Sequence, residues 1–204
     1  MPGSFILLKD IAITSLRVLS WTLLSWLVGM LFGFAANRCR MLRILLLPVL
    51  NFMRHISPFC WLPLIILVAG IGELSVGITL FLALVFNAIL MSMELMNSLP
   101  KAVVEQAGLD GATAWQRFVH IELPLCYGAV IDLFRVLWGV GWSVVVAAEM
   151  LGVSSGMGYR LLDFRYLMRY REMIVYIFVI GVIGVGTDIL LRRLKIISTN
   201  TGSQ

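Results

Sequence analysis

The side chains able to do chemistry in this 204-residue chain gather in two settings. A polar stretch, Leu95–Pro124, holds Lys101, Glu105, Asp110, Arg117, His120 and Glu122. A second set stands in apolar surroundings: Arg17, Asp132, Arg135 and Glu149. Hydrolysis needs a nucleophile with a base in reach, and the sequence contains no His-Glu-x-x-His and no phosphate-cradling glycine loop. His55 and His120 are too distant in sequence and setting to define a metal site. Cys39, Cys60 and Cys126 are scattered, with no CxxC pair, and read as plain thiols rather than a disulfide framework or a zinc site. No cofactor is expected. The chemistry left to these groups is electrostatic, through ion pairs and polar contacts where lipid or a partner protein surrounds them.

The surroundings are those of a membrane. Apolar residues make up 60% of the chain and charged residues 13%, where soluble domains carry about 25% charged residues. Mean hydropathy is +0.97. A soluble domain, a disordered chain and a nucleic-acid binder are excluded, because the net charge of +5 is spread beside apolar runs.

A spanning helix needs about 20 mostly apolar residues. Ile11–Phe34 qualifies, with Arg17 near its start, where a long side chain can snorkel to the interface. Asn37–Arg43 follows with Arg38, Arg40 and Arg43 and marks a cytoplasmic loop. Pro48, Pro58 and Pro63 break the next apolar stretch. It is expected to form an interfacial segment and then a kinked span over Ile56–Ile71, with Arg54 and His55 at the membrane boundary. Val76–Met93, Tyr127–Met150 and Met173–Leu191 complete five spans. Asn87 is placed to bond between helices, and Asp132 and Arg135, three apart, to neutralise each other on one helix face. Gly29 with Gly33, and Gly181 with Gly184, read as sites of close helix packing. Ser198–Gln204 is expected to be a disordered polar tail. The fold class is therefore all-α, a polytopic membrane bundle.

In the polar stretch, Ser98-Leu99-Pro100 reads as a helix start. Pro100–Leu109 is one helix, Gly108 and Gly111 permit a sharp turn, and Ala112–Ile121 is a second helix that Pro124 stops. Within it, Glu105-Gln106-Ala107 is followed after three residues by Gly111, and after nine more by Ile121-Glu122-Leu123-Pro124. This resembles the EAA loop of ABC importer permeases, with Gln106 in place of an alanine. Leu62-Pro63-Leu64, Gly70-Ile71-Gly72-Glu73, Ala147-Ala148-Glu149-Met150, Ser155-Gly156-Met157-Gly158-Tyr159, Ile183-Gly184 with Asp188, and Ser15-Leu16-Arg17 are similar to the nitrate/sulfonate/taurine branch of that family. The resemblance covers about Ser15–Leu194. Relatives carry a further membrane helix before the Ser-Leu-Arg segment, whereas Met1–Asp10 is too short to span, so a five-helix version and a truncated one both fit.

The resemblance implies a single permease domain over residues 1–197, in a bacterial-type cytoplasmic membrane. It implies two copies around a central axis, an ATP-binding cassette ATPase on the loop, and an extracytoplasmic solute-binding protein on the far side. The chain itself would hydrolyse nothing. The loop residues implicated are Glu105, Ala107, Gly111, Trp115, Ile121, Leu123 and Pro124. Glu149, Ser155, Gly156 and Gly158 would lie at the translocation path or gate, where irregular backbone is tolerated at membrane depth. Three other readings remain open: a truncated or non-transporting relative, a loop that lies flat on lipid with Trp115 as its anchor, and a transporter or scaffold that works without ATP. Lys and Arg number eight on the presumed cytoplasmic side and six on the other, with Arg160, Arg165, Arg169 and Arg171 against the expected bias.

Overall fold

A computed structural model describes residues 4–100, 103, 106, 111 and 113–201. These are almost wholly helical, and no strand occurs among them. In chain order the helices are α1 (Ser4–Arg38), α2 (Arg40–Met53), α3 (Pro58–Ala69), α4 (Glu73–Asn97), α5 (Ala114–Arg117), α6 (Leu123–Gly152), α7 (Met157–Tyr166) and α8 (Tyr170–Thr201), with a π turn at Phe118–Glu122 between α5 and α6. Four helical segments are long and apolar enough to cross a membrane: Phe5–Arg38, Glu73–Asn97, Phe118–Gly152 and Tyr170–Arg193.

The proline-broken stretch departs from expectation. α2 and α3 meet at 94°, so they form either one broken span or a re-entrant pair. Neither helix alone, at 14 and 12 residues, reaches the roughly 20 that a bilayer requires. The corner falls where Pro58 opens α3 and Ser57 is extended, since the residue before proline is pushed out of the helical region. α8 continues through Thr201, and the residues beyond it lie outside the description.

Pro124 does not stop a helix. α5, the π turn and α6 run on without interruption, with Pro124 in the first turn of α6. Proline lacks an N–H and crowds the carbonyl four residues back. The wider π turn just ahead of it shifts the hydrogen-bonding pattern and absorbs that conflict.

α1, α4 and α6 pack as the central layer, with α7 at one end and α8 lying along α6. Val18, Leu80, Trp142, Val145, Met157 and Tyr176 form the largest core cluster. Gly29 and Gly33 do bring α1 against α4. A methyl group on Gly29 would overlap Ala88, with its carbonyl carbon at 2.8 Å, and one on Gly33 would meet Ser92 and the Ile89 carbonyl. Gly29→Val should therefore lower stability by about 1–3 kcal/mol, the usual result of overpacking, read as an earlier thermal unfolding transition in detergent. Gly181 and Gly184 differ: no atom lies within 4 Å of an added carbon, so their face is open within this chain.

Candidate functional site

Two sites stand at opposite ends of the bundle. At the loop end, Gly111 has φ +82°, in the left-handed region that glycine adopts freely. No atom of the described residues lies within 4 Å of an added carbon, so it is the backbone angle that calls for glycine here. Two residues on, Thr113 and Gln116 form a reciprocal cap: the Thr113 N–H donates to Gln116 Oε1 at 2.9 Å, and the Gln116 N–H donates to Thr113 Oγ1 at 3.3 Å. Thr-x-x-Gln is a capping box, which sequence reading passed over although its spacing is diagnostic. The helix so started enters the π turn. There buried Glu122 accepts from Arg38 Nη2 at 2.7 Å, while the Arg38 guanidinium lies 5.6 Å over the Phe118 ring. Phe34 of α1 meets Phe118 edge-on at 5.4 Å. The loop's exit is thus fixed to the end of α1. Ile121 is half-buried, Leu123 and Pro124 are exposed, and Gly111 is exposed at the turn. Glu105 and Ala107 lie outside the described residues, as does the side chain of Trp115.

At the other end, Arg17 does not snorkel. Its side chain is only 6% exposed, and every one of its N–H groups has a partner. Nε donates to Glu73 Oε2 at 2.6 Å, and Nη2 donates to Glu73 Oε1 and, at 2.6 Å, to Ser155 Oγ. Nη1 donates to Glu149 Oε1 at 2.6 Å and to the Ser155 carbonyl at 2.9 Å. Glu149 is fully buried. Its carboxylate also accepts from Thr14 Oγ1 at 2.9 Å and from the Gly158 N–H at 2.9 Å. The Met157 N–H donates to Thr14 Oγ1 at 2.9 Å. The carboxylate therefore caps the start of α7, where the helix dipole favours negative charge.

Glycines make room for this knot. Gly156 has φ +98°, and a methyl group there would come within 2.6 Å of the Glu149 carboxyl carbon. One on Gly158 would overlap the Val146 carbonyl. Beside it, buried Asp10 accepts from Arg160 Nε at 3.0 Å and from the Tyr176 hydroxyl at 3.2 Å. The ends of α1, α4, α6, α7 and α8 are thereby tied together. Of the four residues expected at a path or gate, Glu149, Gly156 and Gly158 are buried and Ser155 is half-buried, all in one network. Sequence reading did not anticipate Thr14, Glu73 and Asp10. The available signal was charge: an isolated cation and an isolated anion on two spanning helices are expected to find each other.

Other polar groups on the spans also pair differently from expectation. Arg135 bonds Asp188 of α8, through Nε to Oδ1 and through Nη2 to Oδ2 at 2.8 Å, rather than closing a pair with Asp132 alone. A bidentate fork to a carboxylate offers better geometry than an i,i+3 contact. Asn87 donates to the Ala83 carbonyl of its own helix at 3.2 Å instead of bridging helices. Arg54, exposed beyond the end of α2, lines a crevice with Asn87 of α4 and Val140 of α6. No cluster able to hold a metal occurs among the described residues.

This arrangement, a helical membrane bundle with a protruding turn at one end and a polar knot at the other, is the fold of an importer permease. The described chain superposes on a subunit of the MetNI methionine ABC transporter in an inward-facing conformation, with TM-score 0.63 and 14% identity over 93% of this chain and 98% of that one. Residues 25–195 match the family described as binding-protein-dependent transport system inner membrane component, and the chain belongs to that family. It is a multi-pass membrane permease of the ABC type. A putative ABC transporter permease protein of Methanocaldococcus jannaschii is 28% identical over 95% of this chain and 73% of its own length. The taurine transport system permease protein TauC of Escherichia coli is 25% identical over 92% and 68%. The nitrate import permease protein NrtB of Synechococcus elongatus is 26% identical over 89% and 66%.

Proposed function

We propose that this permease is one of two copies flanking a central passage in a bacterial-type cytoplasmic membrane, and that ATP hydrolysis by a separate cassette ATPase drives import of a small nitrate-, sulfonate- or taurine-like solute. The ATPase seats on the loop through Glu105, Ala107, Gly111, Trp115, Ile121, Leu123 and Pro124. A solute-binding protein delivers the solute at the opposite end. There Glu149, Ser155, Gly156 and Gly158 form the outer gate, a polar closure around Arg17. The chain supplies no catalytic residue and needs no cofactor. Binding and hydrolysis in the partner bias the permease between inward- and outward-open states.

The observation that carries this reading is the joint at the loop. A left-handed Gly111 turn and a capped α5 run without a break into a spanning helix, and that exit is pinned to α1 by Glu122 and Arg38. A knob on such a mount can pass a partner's movement into the bilayer.

Gentle solubilisation of the tagged protein from its native membrane is expected to bring down a Walker-type ATPase. Gly111→Val forces a β-branched residue into the left-handed region and should remove the ATPase while leaving the permease in the membrane. Glu105→Lys should do the same. Wild-type recovery of the ATPase with both variants would refute loop docking.

A further inference from the structure

α6 and α8 stand apart beside the ion pair that joins them. Arg135 forks onto Asp188, and Trp138 Nε1 donates to Thr187 Oγ1 at 3.0 Å. Next to these ties lies an open groove of about 520 Å³. Asp132, Arg135 and Asp188 line one end of it, and Val136, Gly139, Val140 and Ser143 carry it along α6. Glycines keep the space clear. No atom of the described residues lies within 4 Å of a carbon added to Gly139. Gly184 and Gly181, four and seven residues before Asp188 and on its face of α8, are equally unobstructed. At Gly29 a missing side chain lets two helices touch, whereas here it leaves a slot.

The slot has the depth and polarity of one leaflet. The apolar span of α8 ends at Arg193, and Asp188 stands about 7 Å inside that end at 1.5 Å per residue. Asp132 lies about 4 Å nearer the loop than Arg135 on the same scale. The charges therefore sit at the loop-side edge of the hydrocarbon. From Arg135 to Ser143 is about 12 Å along α6, most of the roughly 15 Å that one leaflet of a 30 Å core provides.

The charges at the polar end balance. Arg192, one turn past Asp188, also acts on it, so two carboxylates stand with two guanidinium groups. Arg193 falls about 140° around α8 from Asp188, on another face. A headgroup with only a phosphate leaves the carboxylates unanswered. One with a phosphate and a primary ammonium answers both signs: the ammonium donates N–H bonds to carboxylates, and phosphate accepts from guanidinium. A trimethylammonium has no N–H to give.

We propose that the groove between α6 and α8 is a site for a phospholipid with an ethanolamine headgroup. Its ammonium lies at Asp132 and Asp188, its phosphate at Arg135 and Arg192, and one acyl chain runs past Val136, Gly139 and Val140 to Ser143. The lipid fills a cleft that neither helix closes and supports α8, the least buried of the four spans. The site stands whether or not the chain imports the solute proposed above.

The test uses the full chain with its accompanying ATPase, purified in mild detergent. The probes are phosphatidylethanolamine, phosphatidylcholine and phosphatidylglycerol with identical acyl chains, and native mass spectrometry counts the bound lipid. Phosphatidylethanolamine should be retained at one per permease chain, about ten-fold or more tighter than the other two. Asp132→Asn, nearly isosteric, should remove that preference. Gly139→Leu, which puts a side chain in the path of the acyl chain, should abolish retention of all three and leave the thermal transition of the lipid-free protein in place. If Gly139→Leu does not fold, Asp132→Asn decides. Absent or equal retention of the three lipids by wild type, preference for either of the others, an unchanged preference in Asp132→Asn, or full retention by a folded Gly139→Leu each overturns the proposal. So does a disulfide between two copies of Gly139→Cys with Cys39 and Cys60 changed to Ser, because a second chain would then cover the groove. None of these outcomes changes recovery of the ATPase, which tests the import reading separately.

Discussion

Arg17→Met is expected to destabilise the permease by about 3–5 kcal/mol, because removing one partner of a buried ion pair leaves the other charge buried and uncompensated. The stranded group is Glu149, fully buried and left with only Thr14 and the Gly158 N–H. Arg17→Lys should recover little of the loss. An ammonium has three donors on a point charge, whereas the guanidinium here serves two carboxylates, a hydroxyl and a carbonyl through a planar fork. The double variant Arg17→Met with Glu149→Leu should be more stable than Arg17→Met alone, since no buried charge then lacks a partner. Thermal unfolding of the three purified variants in detergent checks the order. Equal transitions for wild type and Arg17→Met would show that water reaches the site and that the knot contributes nothing.

Gly158→Ala carries the second large effect. The added methyl group overlaps the Val146 carbonyl and stands 2.9 Å from the Glu149 Cβ. Both obstacles belong to α6, one of them to its backbone, so α7 must move away as a body. Movement stretches the Gly158 N–H bond to Glu149 and the Met157 N–H bond to Thr14. A loss of about 2–4 kcal/mol is expected from overpacking combined with a weakened buried carboxylate contact. Gly186→Ala is the matched control, because no atom lies within 4 Å of its added carbon and alanine favours helix. Its transition should match or slightly exceed that of wild type. If Gly158→Ala behaves like Gly186→Ala, the close approach of α7 to α6 is not a requirement of the fold.

How far these features could be read from sequence depends on whether they are local. The long spans were legible because apolar length is a local property, and the glycine turn was legible because Gly111 stands alone between two helix-forming runs, whereas most of the expected helix Pro100–Leu109 lies outside the described residues. The Gly29 and Gly33 contact was legible because four-residue spacing places both on one face. Pairing across the bundle was not. Arg135 found Asp188, 53 residues away, and Arg17 found Glu149, 132 residues away. Nothing in the spacing selects such partners; only the rarity of charge in the spans limits the choice. Pro124 misled because a proline rule that holds for a regular helix does not allow for a wider turn placed just before it. The 94° corner was visible as prolines, but its angle and the crevice that Arg54 lines depend on α4 and α6 behind it.

The unbroken run from the π turn through α6 makes a lever. Its 35 residues, Phe118–Gly152, span about 50 Å at 1.5 Å per residue. A tilt of about 5° about one end displaces the other by about 4 Å over that length. No hinge lies between the two, so a small push at the loop reaches Glu149 as a displacement larger than a hydrogen bond is long. On the proposed import reading, the knot around Arg17 serves as a catch, because its polar contacts tie several helix ends and hold or release together under such a stroke.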